Sequence, residues 1–482
     1  MASALYNEKP LNEKPLNEKD VEETAGQSTF VAREDEPRFA VADAFALREG
    51  DEDQEDFKTL GWFKAGLVLT CEAIALGTLS FPQNFYRLGM AGGIIANCGF
   101  IVIAYVTTHF MVDFKLRYPH VLNVAEAGEV IFGKWGGRLL GIGMVAKSVG
   151  LASSHVLAGK IAISTFDNGA HCAIGWAVLV AVISALLSYH RKWSGLTWLS
   201  VLSLSCIFTA SMITVIAVAV QDNTRLIKNG VPIEWDAFAK QNVSLESVVG
   251  AILNTVFAYG QVMAVFSFLP EMKRPNDFKK SMLLSQGISL VIYTIVGAIC
   301  YKYAGQYVTS PALSMTTRKV MICAYAFAFV TIIVSGIVAA NVGAKYLYTS
   351  LFRHSPLLTS KSWKAQGAWL AIIFAVWLAG FVFAELIPFF SQLLTIISSL
   401  TSLWFVCGMG GFVYLHLVNP KLPEVVDGGY FKRPSRTFGT IVAISFIAIS
   451  CALCPLGLYS AITGIKNGYS NGKFDHPFSC KA

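Results

Sequence analysis

Long apolar runs dominate this sequence and decide what it can fold into. About eleven runs approach the ~20 residues that a helix needs to cross a bilayer. In lipid every backbone polar group needs an internal partner, so such runs fold as helices. The chain is 54% hydrophobic and only 14% charged, against about 25% charged in soluble domains. We therefore expect an all-α polytopic membrane protein, with spans at 62–84, 90–113, 138–166, 173–190, 197–220, 247–269, 282–304, 320–346, 368–387, 389–417 and 438–465.

Two of these runs contain helix-breaking residues near mid-depth. Transporters use pairs of broken helices to bind substrate, because the freed backbone groups and the helix dipoles point into one cavity. Half-helix N-termini would hold a carboxylate and C-terminal ends an ammonium, so a zwitterion such as an amino acid would satisfy both. A close approach of neighbouring helices at the two glycines is the alternative. The breaks are Ala75-Leu76-Gly77-Thr78-Leu79, followed by Ser80 and Pro82, and Phe257-Ala258-Tyr259-Gly260-Gln261.

Four motifs resemble the amino acid/auxin permease (AAAP) family, and within it the fungal neutral amino-acid permeases of the methyltryptophan-resistance type. The resemblance runs from about residue 58 to 467. One departure is Ala75, where the family often has a second glycine. The motifs are Gly77-x-Leu79-x-x-Pro82, Phe257 to Gln261, Glu271-Met272-Lys273-x-Pro275-x-Asp277-Phe278, and Tyr118-Pro119 with Phe132-Gly133-x-Trp135-Gly136.

This resemblance implies a fold and an activity. The fold is an eleven-span, LeuT-like inverted five-plus-five repeat with discontinuous helices 1 and 6. The activity is proton-coupled symport of neutral aliphatic and aromatic amino acids into the cell across the plasma membrane. The coupling ion would be H⁺, with Na⁺ less favoured, and no cofactor or metal is implied. Carried over by position, the substrate-binding residues are Ala75, Leu76, Gly77, Thr78, Leu79, Phe257, Ala258, Tyr259 and Gly260, with Phe257 and Tyr259 as side-chain walls.

Ionisable residues inside spans are costly and are therefore candidates for ion coupling. Glu72 and Lys147 are the deepest, and we expect Glu72 to take up the proton while Lys147 pairs with it or replaces a bound cation. A structural ion pair is the alternative. His155 is a second proton candidate, and Ser335 with Asn341 leave a sodium site open. Glu385, just before a proline, is expected to be solvated at the outer mouth.

Charge along the chain predicts its domains and orientation. Residues 1–58 hold 16 acidic and 7 basic side chains, with no apolar core for a signal peptide. We expect 1–58 to be a disordered acidic cytoplasmic tail, 59–467 the transmembrane transporter domain and 468–482 a short extracellular tail. Basic loops support a cytoplasmic amino terminus. Lys9, Lys14 and Lys19 either recruit ubiquitin-dependent turnover machinery or merely solvate the tail.

Three residues on the predicted outer side are candidates for covalent modification. Asn242 begins an Asn-Val-Ser sequon and is a glycosylation candidate. Cys172 and Cys480 could form a disulfide there, although we expect two unpaired cysteines.

The sequence excludes several other classes of protein. The segment from Gly128 to Lys134 resembles a phosphate-binding loop, but Trp135 stands where the Mg²⁺-binding Ser or Thr is needed. Histidines at metal-binding spacing and a Gly-x-Ser-x-Gly elbow are both missing, so an enzyme is not expected. The basic residues sit in short loops, which argues against nucleic-acid binding. A carrier of another small solute, or a transporter-like nutrient receptor or sensor, remains the alternative function.

Overall fold

The protein is a bundle of helices. The computed structural model describes residues 60–189, 196–227, 230–239, 243–352, 355, 357, 362–422, 429–470 and 477–480. Within those ranges the only β-type pairing is an isolated parallel bridge between Leu60 and Met272. The predicted tail 1–58, with its three candidate lysines, and the sequon residue Asn242 lie outside the described residues.

The helices follow the predicted runs closely. Short 3-10 turns at Leu76–Ser80 and Gly260–Ala264 and π-helical turns at Ser398–Ser402 and Trp404–Gly408 interrupt three of them. The helices are α1 (Trp62–Ala73), α2 (Phe81–Arg117), α3 (Val124–Asp167), α4 (Ala173–Leu187), α5 (Leu196–Val220), α6 (Leu245–Ala258), α7 (Val265–Phe268), α8 (Phe278–Ala304), α9 (Arg318–Leu351), α10 (Trp363–Leu386), α11 (Phe390–Ile397), α12 (Met409–Leu417) and α13 (Pro434–Ser470).

Each predicted span has a helical counterpart. Nine described stretches are long and apolar enough to cross a membrane, and α4 is a shorter apolar helix. The first stretch, Gly77–Arg117, contains the end of span one and all of span two, which meet at Gly89. Gly89 has φ of 76°, a left-handed conformation that glycine adopts without steric cost. The all-α polytopic fold with discontinuous helices in spans one and six is confirmed.

Backbone contacts bring the first and sixth spans together at one face. The Leu60 amide donates to the Glu271 carbonyl at 3.0 Å, and the Lys273 amide donates to the Leu60 carbonyl at 3.0 Å. We call this face, where the described chain begins, the N-side face. The opposite face is the C-side face, where α3 ends and α4 begins. The start of span one is therefore joined to the end of span six at the N-side face.

The structure contradicts the expectation that Cys172 and Cys480 are unpaired. The two residues form a disulfide. Cys172 precedes the first residue of α4, and the amide of Ala173 donates to the carbonyl of Cys480 at 3.0 Å. The segment after α13 is thus fastened to the α3–α4 connection at the C-side face. Two cysteines outside the apolar runs, on one predicted side, were the available sequence signal for this bond.

We predict that Cys172→Ser and Cys480→Ser each lower the thermal unfolding midpoint of the purified protein. Loss of a native disulfide costs about 2–5 kcal/mol. Because both variants lose the same bond, the double variant should unfold where the single variants do. Cys98→Ser, at an exposed free thiol of α2, is the matched control and should leave the midpoint unchanged. Additive losses in the double variant would contradict the pairing.

Candidate functional site

The first helix break separates α1 from α2. The helix stops at Ala73, Ala75 has φ of −113° and ψ of −130°, and the 3-10 turn Leu76–Ser80 follows. Because the φ of Ala75 is negative, this position does not need the left-handed conformation that favours glycine, and the helix is unwound here with alanine in place. The Ser80 hydroxyl donates to the Gly77 carbonyl at 2.8 Å. Span one is therefore unwound where the sequence predicted it.

The second helix break separates α6 from α7. The helix ends at Ala258, and the 3-10 turn Gly260–Ala264 leads into α7. Its polar side chain, Gln261, donates from Nε2 to the Ser285 hydroxyl of α8 at 3.3 Å. Span six therefore also loses its regular hydrogen bonding within the membrane.

The two breaks lie against one another. A Cβ built on Gly77 would lie 3.4 Å from the Ala258 Cβ and 3.7 Å from Cδ1 of Phe257. The hydroxyl of Tyr293, on α8, donates to the Ala73 carbonyl at 2.7 Å and lies 3.3 Å from the Ala258 carbonyl. One buried tyrosine thus connects the carbonyl ends of α1 and α6. A single tyrosine in an apolar run offered no sequence signal for this role.

The predicted substrate-binding residues divide into two groups in the structure. Gly77, Phe257 and Ala258 come together, and the buried Thr78 hydroxyl has no hydrogen-bond partner among the described residues. Tyr259 points elsewhere: it is fully buried, and its hydroxyl donates to Asn97 Oδ1 of α2 at 2.6 Å. Ala75, Leu76, Leu79 and Gly260 supply backbone at the two breaks.

Lys147 brings a positive charge to the second break. Its Nζ donates to the Gly260 carbonyl at 3.1 Å and lies 5.6 Å from the centroid of the Phe405 ring. Glu72, in the last turn of α1, interacts electrostatically with Lys147. The structure therefore brings the two deepest predicted ionisable residues to the breaks, with Lys147 anchored on a backbone carbonyl.

His155 lies apart from this group. It is eight residues beyond Lys147 on α3, which corresponds to about 12 Å along the helix. A Cβ built on Gly336 of α9 would lie 3.1 Å from the Cβ of His155, and it would also lie close to Trp377 of α10. His155 is therefore placed in the packing between α3, α9 and α10.

Span ten contributes a feature that the sequence analysis missed. Its middle consists of the π-helical turns Ser398–Ser402 and Trp404–Gly408, and π-turns are frequent at functional sites. The Ser402 hydroxyl would lie 3.6 Å from a Cβ on Gly260. The hydroxyls of Ser398 and Ser402 are buried and have no partner in the described part of the chain. The cluster of hydroxyl residues at 398–402 was the available signal.

Glu385 is not solvated as expected. It is 1% exposed, and both its carboxylate oxygens lie 2.9 Å from Nζ of Lys160, which is 4% exposed. The pair joins α3 to α10. The sequence analysis overlooked Lys160. It placed Glu385 at a solvated outer mouth because Pro388 follows, whereas the structure has packed helices there. A lysine from another span compensates the cost of burying this carboxylate.

These contacts define a candidate site made of exposed backbone, buried hydroxyls and two ionisable side chains. Broken helices expose amides and carbonyls, and the unpartnered hydroxyls of Thr78, Ser398 and Ser402 are buried polar groups that a ligand would satisfy. Glu72 and Lys147, whose charges are opposite, lie at the same two breaks. Among the described residues no group of three or more His, Cys, Asp or Glu side chains could hold a metal ion.

Comparison with known proteins identifies the family. The transmembrane amino acid transporter protein family matches residues 58–463. The chain belongs to this family. The resemblance inferred from the sequence motifs is therefore confirmed, and the protein is a transporter rather than an enzyme.

Relatives and a solved structure agree with this assignment. The chain is 32% identical over 90% of its length to an N amino acid transport system protein of Neurospora crassa, of which 90% is covered. It is 24% identical to a transmembrane transporter of Gibberella moniliformis, with 89% of each chain covered. A nucleobase-cation-symport-1 family transporter in a closed conformation matches with a TM-score of 0.56 at 14% identity, covering 87% of this chain and 94% of that one. The last match supports the LeuT-like fold.

We predict that Tyr293→Phe lowers both stability and transport. Removing the hydroxyl leaves the buried carbonyls of Ala73 and Ala258 short of a donor, at a cost of about 1–3 kcal/mol. Thermal unfolding and uptake by the reconstituted protein measure the two effects. Tyr348→Phe is the control, because that buried hydroxyl donates to the carbonyls of Leu357 and Ala365, which belong to neither break. Equal transport losses in the two variants would contradict a role of Tyr293 at the breaks.

We predict a strong coupling between Lys160 and Glu385. Lys160→Met and Glu385→Gln should each destabilise the protein by about 3–5 kcal/mol, because each leaves an uncompensated buried polar or charged group. Lys160→Met combined with Glu385→Leu should recover most of that loss. Thermal or denaturant unfolding in detergent measures the cycle. Additive effects of the two changes would show that the ion pair does not exist in solution.

Proposed function

We propose that this protein is a proton-coupled symporter that imports neutral aliphatic and aromatic amino acids across the plasma membrane, with its N-side face cytoplasmic. The observation that carries the proposal is the group Glu72, Lys147 and Gly260 at the two helix breaks. Lys147 already occupies the Gly260 carbonyl at the second break. The carboxylate of Glu72 beside it is the group to which we assign the coupling proton.

Substrate recognition follows from the ends of the broken helices. Amides of the Leu76–Ser80 turn face the substrate carboxylate, and carbonyls at the end of α6 face its ammonium. Phe257, beside Gly77, offers an aromatic wall to the substrate side chain. When Glu72 is ionised, its charge and that of Lys147 cancel and select no ionised side chain. When Glu72 is protonated, the positive charge of Lys147 disfavours a cationic side chain. This combination favours neutral amino acids.

Proton coupling acts through the restraint on Lys147. When Glu72 is ionised, it attracts the ammonium that the Gly260 carbonyl also holds. When Glu72 is protonated, this attraction disappears and Lys147 is held by the carbonyl and the Phe405 ring. Each proton therefore changes how firmly α3 and the break in span six are joined. When the broken helices move against the rest of the fold, the binding site opens first to one side of the membrane and then to the other.

A direct test is uptake by the purified protein in proteoliposomes. Labelled leucine or phenylalanine should accumulate when an inward proton gradient is applied, and a protonophore should abolish accumulation. Neutral aliphatic and aromatic amino acids should compete best among the standard twenty. Accumulation that follows a sodium gradient instead would favour a cation site using the buried, unpartnered Asn341 amide oxygen. Binding without accumulation would indicate a receptor and would contradict the proposal.

We predict that Glu72→Gln removes the dependence of uptake on pH. The amide cannot ionise, so gradient-driven accumulation should be lost while exchange of labelled for unlabelled leucine persists. Asp113→Asn, at an exposed carboxylate of α2 paired with Lys279, is the control and should keep the wild-type pH profile. Full pH dependence in Glu72→Gln would exclude Glu72 as the coupling residue.

A further inference from the structure

Arg87 is a cation near the end of span one for which the described residues supply no counter-charge. It lies in α2, ten residues beyond Gly77, about 15 Å along the helix towards the C-side face. Its one hydrogen bond to the described part of the chain runs from Nη1 to the Ser391 hydroxyl at 3.4 Å. A guanidinium has five N–H donors, and an unpaired charge inside a membrane span is costly. Arg87 therefore has donors and charge available for a ligand.

Polar groups from three other spans surround the same position. A Cβ built on Gly250 of α6 would lie 2.9 Å from the Ser460 hydroxyl, 3.4 Å from Nη1 of Arg87 and 3.7 Å from the Thr395 hydroxyl. The missing side chain at Gly250 lets a guanidinium and two hydroxyls approach the backbone of α6 closely. The guanidinium and hydroxyls come from α2, α11 and α13, which are far apart in the sequence.

A buried amide orients part of this group. Asn254, one turn beyond Gly250, donates from Nδ2 to the Ser391 hydroxyl at 2.9 Å and accepts from the Thr395 hydroxyl at 3.1 Å. Asn254 is fully buried, whereas Ser391 and Thr395 are nearly so. The hydroxyls beside Arg87 are therefore held in place rather than free to turn.

The position along the helices places this group on the C-side of the breaks. Gly250 precedes Gly260 by ten residues, and Arg87 follows Gly77 by ten, so both lie about 15 Å from the breaks on the C-side. In the proposed import the amino acid enters from the C-side face. It would therefore meet Arg87 before it reaches the broken helices.

We propose that Arg87, with Ser391 and Thr395 beside Gly250, is a carboxylate-binding subsite that receives the amino acid before the two breaks do. A guanidinium binds a carboxylate by two parallel N–H···O bonds. The Ser391 hydroxyl accepts from Arg87 and Asn254 and can donate its own hydrogen to the same carboxylate. The same charge repels a cationic side chain, so the subsite favours zwitterions over lysine-like substrates. This inference rests on the proposed amino-acid import.

The test compares Arg87→Met and Arg87→Lys in proteoliposomes with labelled leucine presented at the C-side face. Arg87→Met should raise the KM for leucine about tenfold or more, because a charge-assisted contact is lost, with a much smaller change in kcat. Arg87→Lys should restore part of the affinity, since lysine keeps the charge without the planar fork. Leucinamide lacks the carboxylate and should inhibit uptake by the wild type less well than leucine does. In Arg87→Met this difference between leucinamide and leucine should shrink about tenfold. Lysine should inhibit leucine uptake better in Arg87→Met than in the wild type.

Matched variants distinguish loss of the carboxylate contact from loss of folding. Arg138→Met, at an exposed arginine of α3, should behave as the wild type. If Arg87→Met is unstable in thermal unfolding, Arg87→Lys and Ser391→Ala carry the test, and both should raise KM more than they lower kcat. An unchanged KM and leucine-to-leucinamide ratio, or a fall in kcat alone, would overturn the subsite. Failure of the wild-type protein to accumulate leucine would instead contradict the proposed function.

Discussion

The hydroxyl of Tyr293 on the carbonyls of Ala73 and Ala258 is the contact on which the rest of the site depends. A bilayer has no water to satisfy the acceptors that a broken helix exposes, so each break needs donors from neighbouring spans. Ser80 supplies one to Gly77, and Lys147 supplies one to Gly260. The breaks therefore persist because other helices complete their hydrogen bonding, and this requirement holds spans one, three, six and seven together.

The buried cations show how position changes the role of a charge. Lys160 has a carboxylate partner at 2.9 Å and joins two spans. Lys147 rests on a backbone carbonyl with Glu72 nearby. Arg87 has a single long bond to a hydroxyl within the described part of the chain. A fully paired charge stabilises one arrangement, whereas partly paired charges can respond to a proton or a substrate.

Much of the fold could be predicted because its signals are local. Apolar length predicts the spans, and Gly77 and Gly260 among polar neighbours predict the two breaks. The residues that complete the site gave weaker signals. Tyr293 looks like an ordinary member of an apolar run, and Lys160 lies close to the end of its predicted span, where a lysine attracts less notice. The π-turn at Ser398–Ser402 leaves only a group of hydroxyl residues in the sequence. Their roles depend on contacts with spans that are distant along the chain.

The sequence by itself determined that the chain is a multi-span helical protein with two interrupted helices. Helices that cross lipid need long apolar runs, and a helix break in lipid is costly unless neighbouring groups complete its hydrogen bonding. Its motifs also identified the family. Only the tertiary structure decided which side chains complete the breaks, that Glu385 is buried against Lys160, and that Cys172 is bonded to Cys480. Those outcomes depend on which groups meet across spans, and the energy of a buried polar group is set by its partner.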